Sequence, residues 1–282
     1  MIIDFRVRPP MRSFLNLSIY TQIGMVEKLV AEPLLGALAD SAREASLPKL
    51  MAEFAACQVA HSVVWGRAVP NSKESTPNDD IAAIVAESNG LYSGLGGVCV
   101  GRDIGAAVVE VERIVTTLGL RGIALEPSLH EPPLYVDDPR LYPIYQRCQD
   151  LGAIFATTMG AILGPDLSHS HPQLIGHVAA DFPKLKIVVS HGFWPWVEES
   201  CGITFRYPNI YLLPDAYGVG MPGFLHWVEA ANTYLQDRLL FGSAFPVLGV
   251  KQAVDGYRKL PFEEGILDKV MYTNAARLLG LP

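Results

Sequence analysis

The residues best suited to chemistry stand at the ends of short apolar runs. The chain opens Ile2-Ile3-Asp4-Phe5-Arg6-Val7-Arg8. In an extended strand, side chains two apart point to one face, which predicts Asp4, Arg6 and Arg8 on the same side. Further on, Arg67 follows SVVWG (62–66), Glu126 ends RGIALE (121–126), Thr157 and Thr158 end AIFATT (153–158), and His191 follows KIVVS (186–190). Asp215 comes just after NIYLL (209–213), and Ser243 follows RLLFG (238–242). Arginine holds carboxylates through paired, charge-assisted hydrogen bonds, so Arg6, Arg8 and Arg67 suit a small anionic substrate. His191, Asp215 and Glu126 are the groups able to move protons. Trp194, close behind the histidine, is placed to wall a pocket against water.

Plainer readings exist for the same residues. Arg6 with Asp4, and Arg8 with Glu126, could be structural ion pairs at a sheet end. Asp215 after Pro214 also reads as a turn former or helix cap. The threonines belong in strands on propensity alone. His191 before a glycine at a strand end is harder to explain by packing. His169 and His171 form a His-x-His with no evident third ligand, and read as surface groups.

A fold must bring these ends together. Two more apolar runs, 2–5 and 93–100, complete a set of eight, and amphipathic stretches alternate with them. Asp138-Pro139 opens one helix and Leu151-Gly152 closes it, while Leu118-Gly119 closes another. Eight apolar strands alternating with helices in 282 residues predict an α/β chain folded as one (β/α)8 TIM barrel over 1–282. The carboxyl ends of its strands then share one mouth. A doubly wound open sheet is the competitor, but no glycine-rich phosphate loop follows the first strand. Residues 9–43 are a long excursion on the mouth side, expected as a lid or dimerisation element.

A net charge of −7 argues against nucleic acid or an anionic membrane as partner. No apolar stretch has the length of a bilayer span, and the N-terminus lacks a signal-peptide pattern. Cys57, Cys99, Cys148 and Cys201 lack Cys-x-x-Cys spacing and read as reduced thiols, so a cytoplasmic protein is expected. Aromatic residues around Phe14, Tyr20 and Phe224 permit a homodimer.

Six segments carry a resemblance: IIDFRVRPP, LGLRGIALEP, DDPRLYPIYQRCQDLGAIF, HPQLIGHVAADFPKLKIVVSHGFWPW, DRLLFGSAFPV and YTNAARLLGL. In them the chain resembles the amidohydrolase-2 group of the amidohydrolase superfamily, TIM-barrel proteins related to aminocarboxymuconate-semialdehyde decarboxylase. The resemblance implies a metal site, yet its ligand positions are altered here. Arg6 and Arg8 stand where the family carries His-x-His. Thr158, or Thr157 if the register slips by one, replaces a third histidine. In Gly242-Ser243-Ala244-Phe245-Pro246, Ala244 replaces the usual aspartate. Of the usual set only His191 remains. Arginine stays protonated and is no ligand. The expectation is therefore a site without a cofactor, in which arginines supply the positive charge. A divalent ion held by His191, Asp215 and Glu126 is the alternative, opposed by the flanking arginines.

The function expected on this basis is a metal-independent hydrolase acting on a small carboxylated substrate of lactone or ring-cleavage type. His191, Asp215 and Glu126 would do the chemistry, and Arg6, Arg8, Arg67, Thr158, Trp194 and Ser243 would bind the substrate. A decarboxylase of the same family is the first alternative. A small-carboxylate-binding protein without activity is the second.

Overall fold

Near-continuous apolar runs need cover on both faces, and the chain meets that need with a parallel sheet curled round on itself. The computed structural model describes residues 1–28, 38–101 and 103–281. Strands β1 (Ile2–Val7), β2 (Val59–Trp65), β3 (Tyr92–Gly97), β4 (Gly122–Ala124), β5 (Ile154–Thr158), β6 (Lys186–Ser190) and β7 (Ile210–Leu213) pair side by side in chain order, all parallel. The eighth strand expected at 238–242 is present only as bridges. Leu239 bridges Leu212, and Phe245 bridges Val7. Phe5 and Arg8 donate their backbone N–H groups to the carbonyls of Phe241 and Phe245 at 2.9 and 3.0 Å. This segment closes the barrel without becoming a regular strand, and just beyond it Ala244 takes a left-handed conformation (φ 56°).

A helix follows each staves-like unit: α1 (Leu47–Cys57), α2 (Asn78–Glu87), α3 (Ile104–Glu112), α4 (Tyr142–Asp150), α5 (Pro172–Asp181), α6 (Val197–Arg206), α7 (Leu225–Asn232) and α8 (Val250–Arg258). Local signals set their ends. The Ser46 side chain accepts the backbone N–H of Lys49 at the start of α1, and Asp103 does the same for Gly105 at α3. Asp138 caps the turn Pro139–Leu141 that leads into α4, as its Asp-Pro pair predicts.

The core has two layers. Ile3, Phe5, Val63, Trp65, Leu95, Ala156 and Val188 fill the lumen, closed from below by Leu278 and Leu279 of α9 (Asn274–Leu279). Val64, Ile123, Phe155, Ile187 and Leu212 face the helices. A barrel plugged in this way leaves its mouth as the place for a site.

One irregularity aims that site. Asp4 pairs with Ser62 but Val7 pairs with Val64, so β1 carries one residue more than β2 across this step. A bulge of this kind breaks strict alternation and redirects a side chain. Arg6 and Arg8 therefore both reach the mouth, while Asp4, expected beside them, turns to Ser243.

The excursion expected at 9–43 is described in part, since residues 29–37 lie outside the described residues. It includes a short helical turn, Ser18–Thr21. No helix among the described residues is long and apolar enough to cross a membrane.

Candidate active site

Strand ends bring six of the expected residues to one cavity of about 130 Å³. Arg6 comes from β1 and Arg8 from just beyond it, Arg67 from the segment after β2, Thr158 from the end of β5, and His191 from the turn after β6. Glu126, just beyond β4, also lines it, together with Ile19, Ile162, Leu163, Ala244, Phe245, Pro246 and Val247.

Arg6 is the hub. Its Nη1 donates to Asp215 Oδ2 at 2.9 Å and to Ser190 Oγ at 2.6 Å, and its Nη2 donates to Thr158 Oγ1 at 3.3 Å. Ser190 in turn donates its hydroxyl proton to Asp215 Oδ2. The guanidinium carbon lies 5.3 Å from the centre of the Trp65 ring, a cation–π contact at the floor of the mouth. Asp215 is fully buried behind this cation and does not itself line the cavity.

His191 Nδ1 lies 2.8 Å from Asp215 Oδ1. An ionised carboxylate only accepts, so Nδ1 carries the proton and Nε2 keeps the lone pair. Arg6 Nη1 is 3.4 Å from both ring nitrogens, and of the two only Nε2, with its lone pair, can accept from it. Burial lowers the His191 pKa; Asp215 opposes that shift and Arg6 adds to it, so the imidazole is neutral near pH 7. Burial pushes Asp215 up, but His191, Arg6 and Ser190 together hold its carboxyl below the ordinary value.

The backbone here is unusual. His191 (φ 63°) and Asp215 (φ 48°) are both left-handed, a sparsely populated region for residues other than glycine. Gly192, between His191 and the next helix, is left-handed too, and a Cβ there would stand 2.7 Å from the Trp227 ring. Only glycine fits that turn, and the turn is what presents the imidazole.

The other side of the cavity is built on Glu126. Its Oε1 accepts the Thr158 hydroxyl at 2.9 Å, and its Oε2 lies 3.2 Å from Arg67 Nε, close enough to pair but not aligned as a hydrogen bond. Arg8 Nη2 is 3.8 Å from Oε1. Burial alone would raise the Glu126 pKa, but Arg67, Arg8 and Arg6 hold it at about 2. Arg8 donates from Nε to the Trp65 carbonyl at 3.3 Å, and among the described residues neither of its Nη atoms makes a hydrogen bond. Burial, then the neighbouring Arg6, lower its pKa to about 9, which still leaves a cation at neutral pH. Arg6 is paired with Asp215 and Arg67 with both Glu126 and Glu74, which leaves Arg8 the least satisfied of the three guanidinium groups.

Some expected residues stand elsewhere. Ser243 gives its hydroxyl to Asp4 Oδ2 at 2.6 Å and its N–H to Asp4 Oδ1 at 2.9 Å. Trp194 packs 5.7 Å from Tyr217 and donates from Nε1 to the Pro222 carbonyl, away from the cavity lining. Thr158, not Thr157, faces the mouth, and the Thr157 hydroxyl is buried without a partner among the described residues. His169 stacks on Tyr135 at 4.2 Å. Sequence reasoning missed Ser190, the link between Arg6 and Asp215, and Ile19. Ser190 was legible as the residue beside His191 at a strand end, whereas nothing in its own neighbourhood marks Ile19.

The comparisons with known proteins agree with this architecture. The family model described as amidohydrolase matches residues 31–281. The chain belongs to the amidohydrolase family. This amidohydrolase-family barrel is 37% identical to the structure of an uncharacterized TIM-barrel protein from Bordetella bronchiseptica, covering 99% of this chain and 98% of that one at a TM-score of 0.94. A 2-amino-3-carboxymuconate-6-semialdehyde decarboxylase from Dictyostelium discoideum is 29% identical over 132 residues, 41% of this chain. That match spans 36% of the relative, little more than a third of its length. A dihydroxybenzoic acid decarboxylase from Polaromonas sp., solved with bound manganese and the inhibitor 2-nitroresorcinol, shares the fold at a TM-score of 0.71 and 18% identity, covering 99% of this chain and 96% of that one.

The manganese corrects one expectation. Arg6, Arg8, Thr158 and Ala244 had pointed to a site without a cofactor, but a barrel of the same fold binds a metal. Four strand-end residues do not settle what a mouth holds, because its eight loops contribute groups as well. Absence of a cofactor is therefore not carried forward. The donor set itself is a separate question. Among the described residues no three His, Cys, Asp or Glu side chains gather as a metal-holding group. His191 and Asp215 are committed to each other and to Arg6. These donors do not fit a manganese ion as they stand, and no step below is routed through one.

Proposed function

We propose that the protein is a hydrolase of small carboxylated compounds, with His191 as the general base. The observation that supports this most directly is the placing of Arg8, its Nη atoms without hydrogen bonds among the described residues, on the same small cavity as a neutral, Asp215-held imidazole. Arg8, with Arg67 beside it, takes the substrate carboxylate in a paired contact. The lone pair of His191 Nε2 accepts a proton from water as the water oxygen adds to an ester or lactone carbonyl carbon. Asp215 holds the ring and stabilises the imidazolium that forms. The imidazolium then returns the proton to the leaving oxygen as the C–O bond breaks. Glu126, anionic throughout, sets the positions of Arg67 and Thr158. An apolar cavity of about 150 Å³ holds a benzene-sized guest, so the space here suits a substrate of one ring.

A second reading, decarboxylation, is favoured by the names of the relatives, since both named ones are decarboxylases. It asks His191 to deliver a proton to carbon, and burial works against the protonated form. Incubating the protein in ¹⁸O-water with single-ring lactone carboxylates and hydroxybenzoates, with and without added manganese, separates the two. Label in the product acid without released carbon dioxide supports hydrolysis. Carbon dioxide with no label gain refutes it and supports the second reading.

A further inference from the structure

The cavity lining divides into a charged set, already described, and an apolar set. Most of the apolar set comes from the loop that follows β5 and from residues 244–247, at the end of the segment that closes the barrel. Ile19 is different: it enters from the turn Ser18–Thr21, on the long segment between β1 and α1. A four-residue helical turn has no stability of its own. This one is fastened to the site. The backbone N–H and the hydroxyl of Ser18 donate to the two carboxylate oxygens of Glu74, each at 3.0 Å. Glu74 also accepts from Arg67 Nη1 at 3.2 Å. The Tyr20 hydroxyl donates to the backbone carbonyl of Arg8 at 2.6 Å. The turn is thus tied to two of the arginines that face the cavity.

We infer that the Ser18–Thr21 turn is the specificity-determining wall of the site: Ile19 limits the bulk carried by a bound carboxylate, and Glu74 holds that wall in place. Glu74 is a positioning residue, since it touches the turn and Arg67 and does not line the cavity. The inference rests on the carboxylate reading above and adds what fixes the upper size of the guest. A cavity of about 130 Å³ admits one ring beside the arginines and leaves no room for a second while Ile19 is present.

The test is calorimetric titration of benzoate and of 2-naphthoate into the wild-type protein, Ile19→Ala and Glu74→Ala, with circular dichroism checking that each is folded. Wild type is expected to prefer benzoate. Ile19→Ala is expected to move the ratio of affinities toward naphthoate by about tenfold or more, the usual discrimination for lost side-chain bulk in a pocket. Glu74→Ala, which frees the turn without touching the guest, is expected to move it the same way, with naphthoate gaining and benzoate losing. A general loss of structure would weaken both ligands together and leave the ratio unmoved. If benzoate binds and neither variant changes the ratio, the inference is overturned while the carboxylate reading stands. If benzoate binds none of the three proteins, the carboxylate reading fails and takes the inference with it.

Discussion

Asp215→Asn removes a charge from the most enclosed part of the site. The Asp215 side chain is 0% exposed and that of Arg6, 2.9 Å away, is 7% exposed. At an effective dielectric of about 20, two unit charges at that separation attract by roughly 6 kcal/mol, most of it offset by what both lost on leaving water. The variant is not expected to lose that net difference. It leaves the Arg6 cation buried without its counter-ion, which costs about 3–5 kcal/mol. Arg6 keeps the hydroxyls of Ser190 and Thr158 as acceptors, which places the expectation at the lower end, about 3 kcal/mol. Urea unfolding at pH 7, followed by tryptophan fluorescence and by circular dichroism, measures it, provided the two probes coincide. Arg6→Met with Asp215→Leu is the informative partner. Removing both charges together is expected to restore most of the loss, because a buried pair is often no better than apolar residues of similar volume. A change below about 1 kcal/mol in Asp215→Asn, or a double variant as unstable as the single, would refute the account of a desolvated pair at the hub.

Asp4→Asn tests the carboxylate behind β1. Burial raises the Asp4 pKa from 3.8 to about 6, against its bonds from Ser243 and the Arg6 N–H. A raised folded-state pKa means a stabilising contribution that is full below about 3.8 and is lost as pH rises through about 6. The wild-type urea midpoint should therefore carry a falling component across that window, on the order of 3 kcal/mol at ~1.4 kcal/mol per unit, and Asp4→Asn should flatten it. An unchanged slope would show that Asp4 does not titrate there. For hydrolysis, kcat/KM should rise with pH to a plateau through an apparent pKa below the ordinary histidine value of 6.5. A limb above 6.5 would contradict a neutral base. Arg8→Ala should weaken benzoate binding by roughly 2–4 kcal/mol in calorimetric titration, and a change of only a few tenths would remove Arg8 from the site.

The ends of the strands were the legible part. Arg6, Arg8, Arg67, Glu126, Thr158 and His191 each follow or finish an apolar run, and parallel pairing in chain order is enough to bring them to one mouth. What the sequence hid depends on small departures from regularity. The extra residue in β1 separates Asp4 from Arg6, although strict alternation puts them on one face. The last unit pairs only through isolated bridges, a property of the closed ring and not of the five letters RLLFG. Ser243 looked available and is consumed by Asp4, a partner more than two hundred residues away in the chain. Ile19 arrives from a segment with no periodic pattern, so only tertiary ties reveal it. The expectation about a cofactor failed for a related reason: it was argued from single positions, and occupancy of a mouth is a property of the whole ring of loops.

The seam between β1 and the 239–245 segment also has a bearing on how the protein is made. On the ribosome the chain emerges from its N-terminus at about 5–20 residues per second, so β1 is outside the tunnel long before the segment that flanks it exists. Throughout that interval Asp4 lacks Ser243 and Arg6 lacks Asp215, and the first strand offers one unpaired edge with charged groups on it. Charges on an open edge discourage pairing with other chains. The same residues that furnish the mouth of the finished barrel thus guard the nascent one until its last stave arrives.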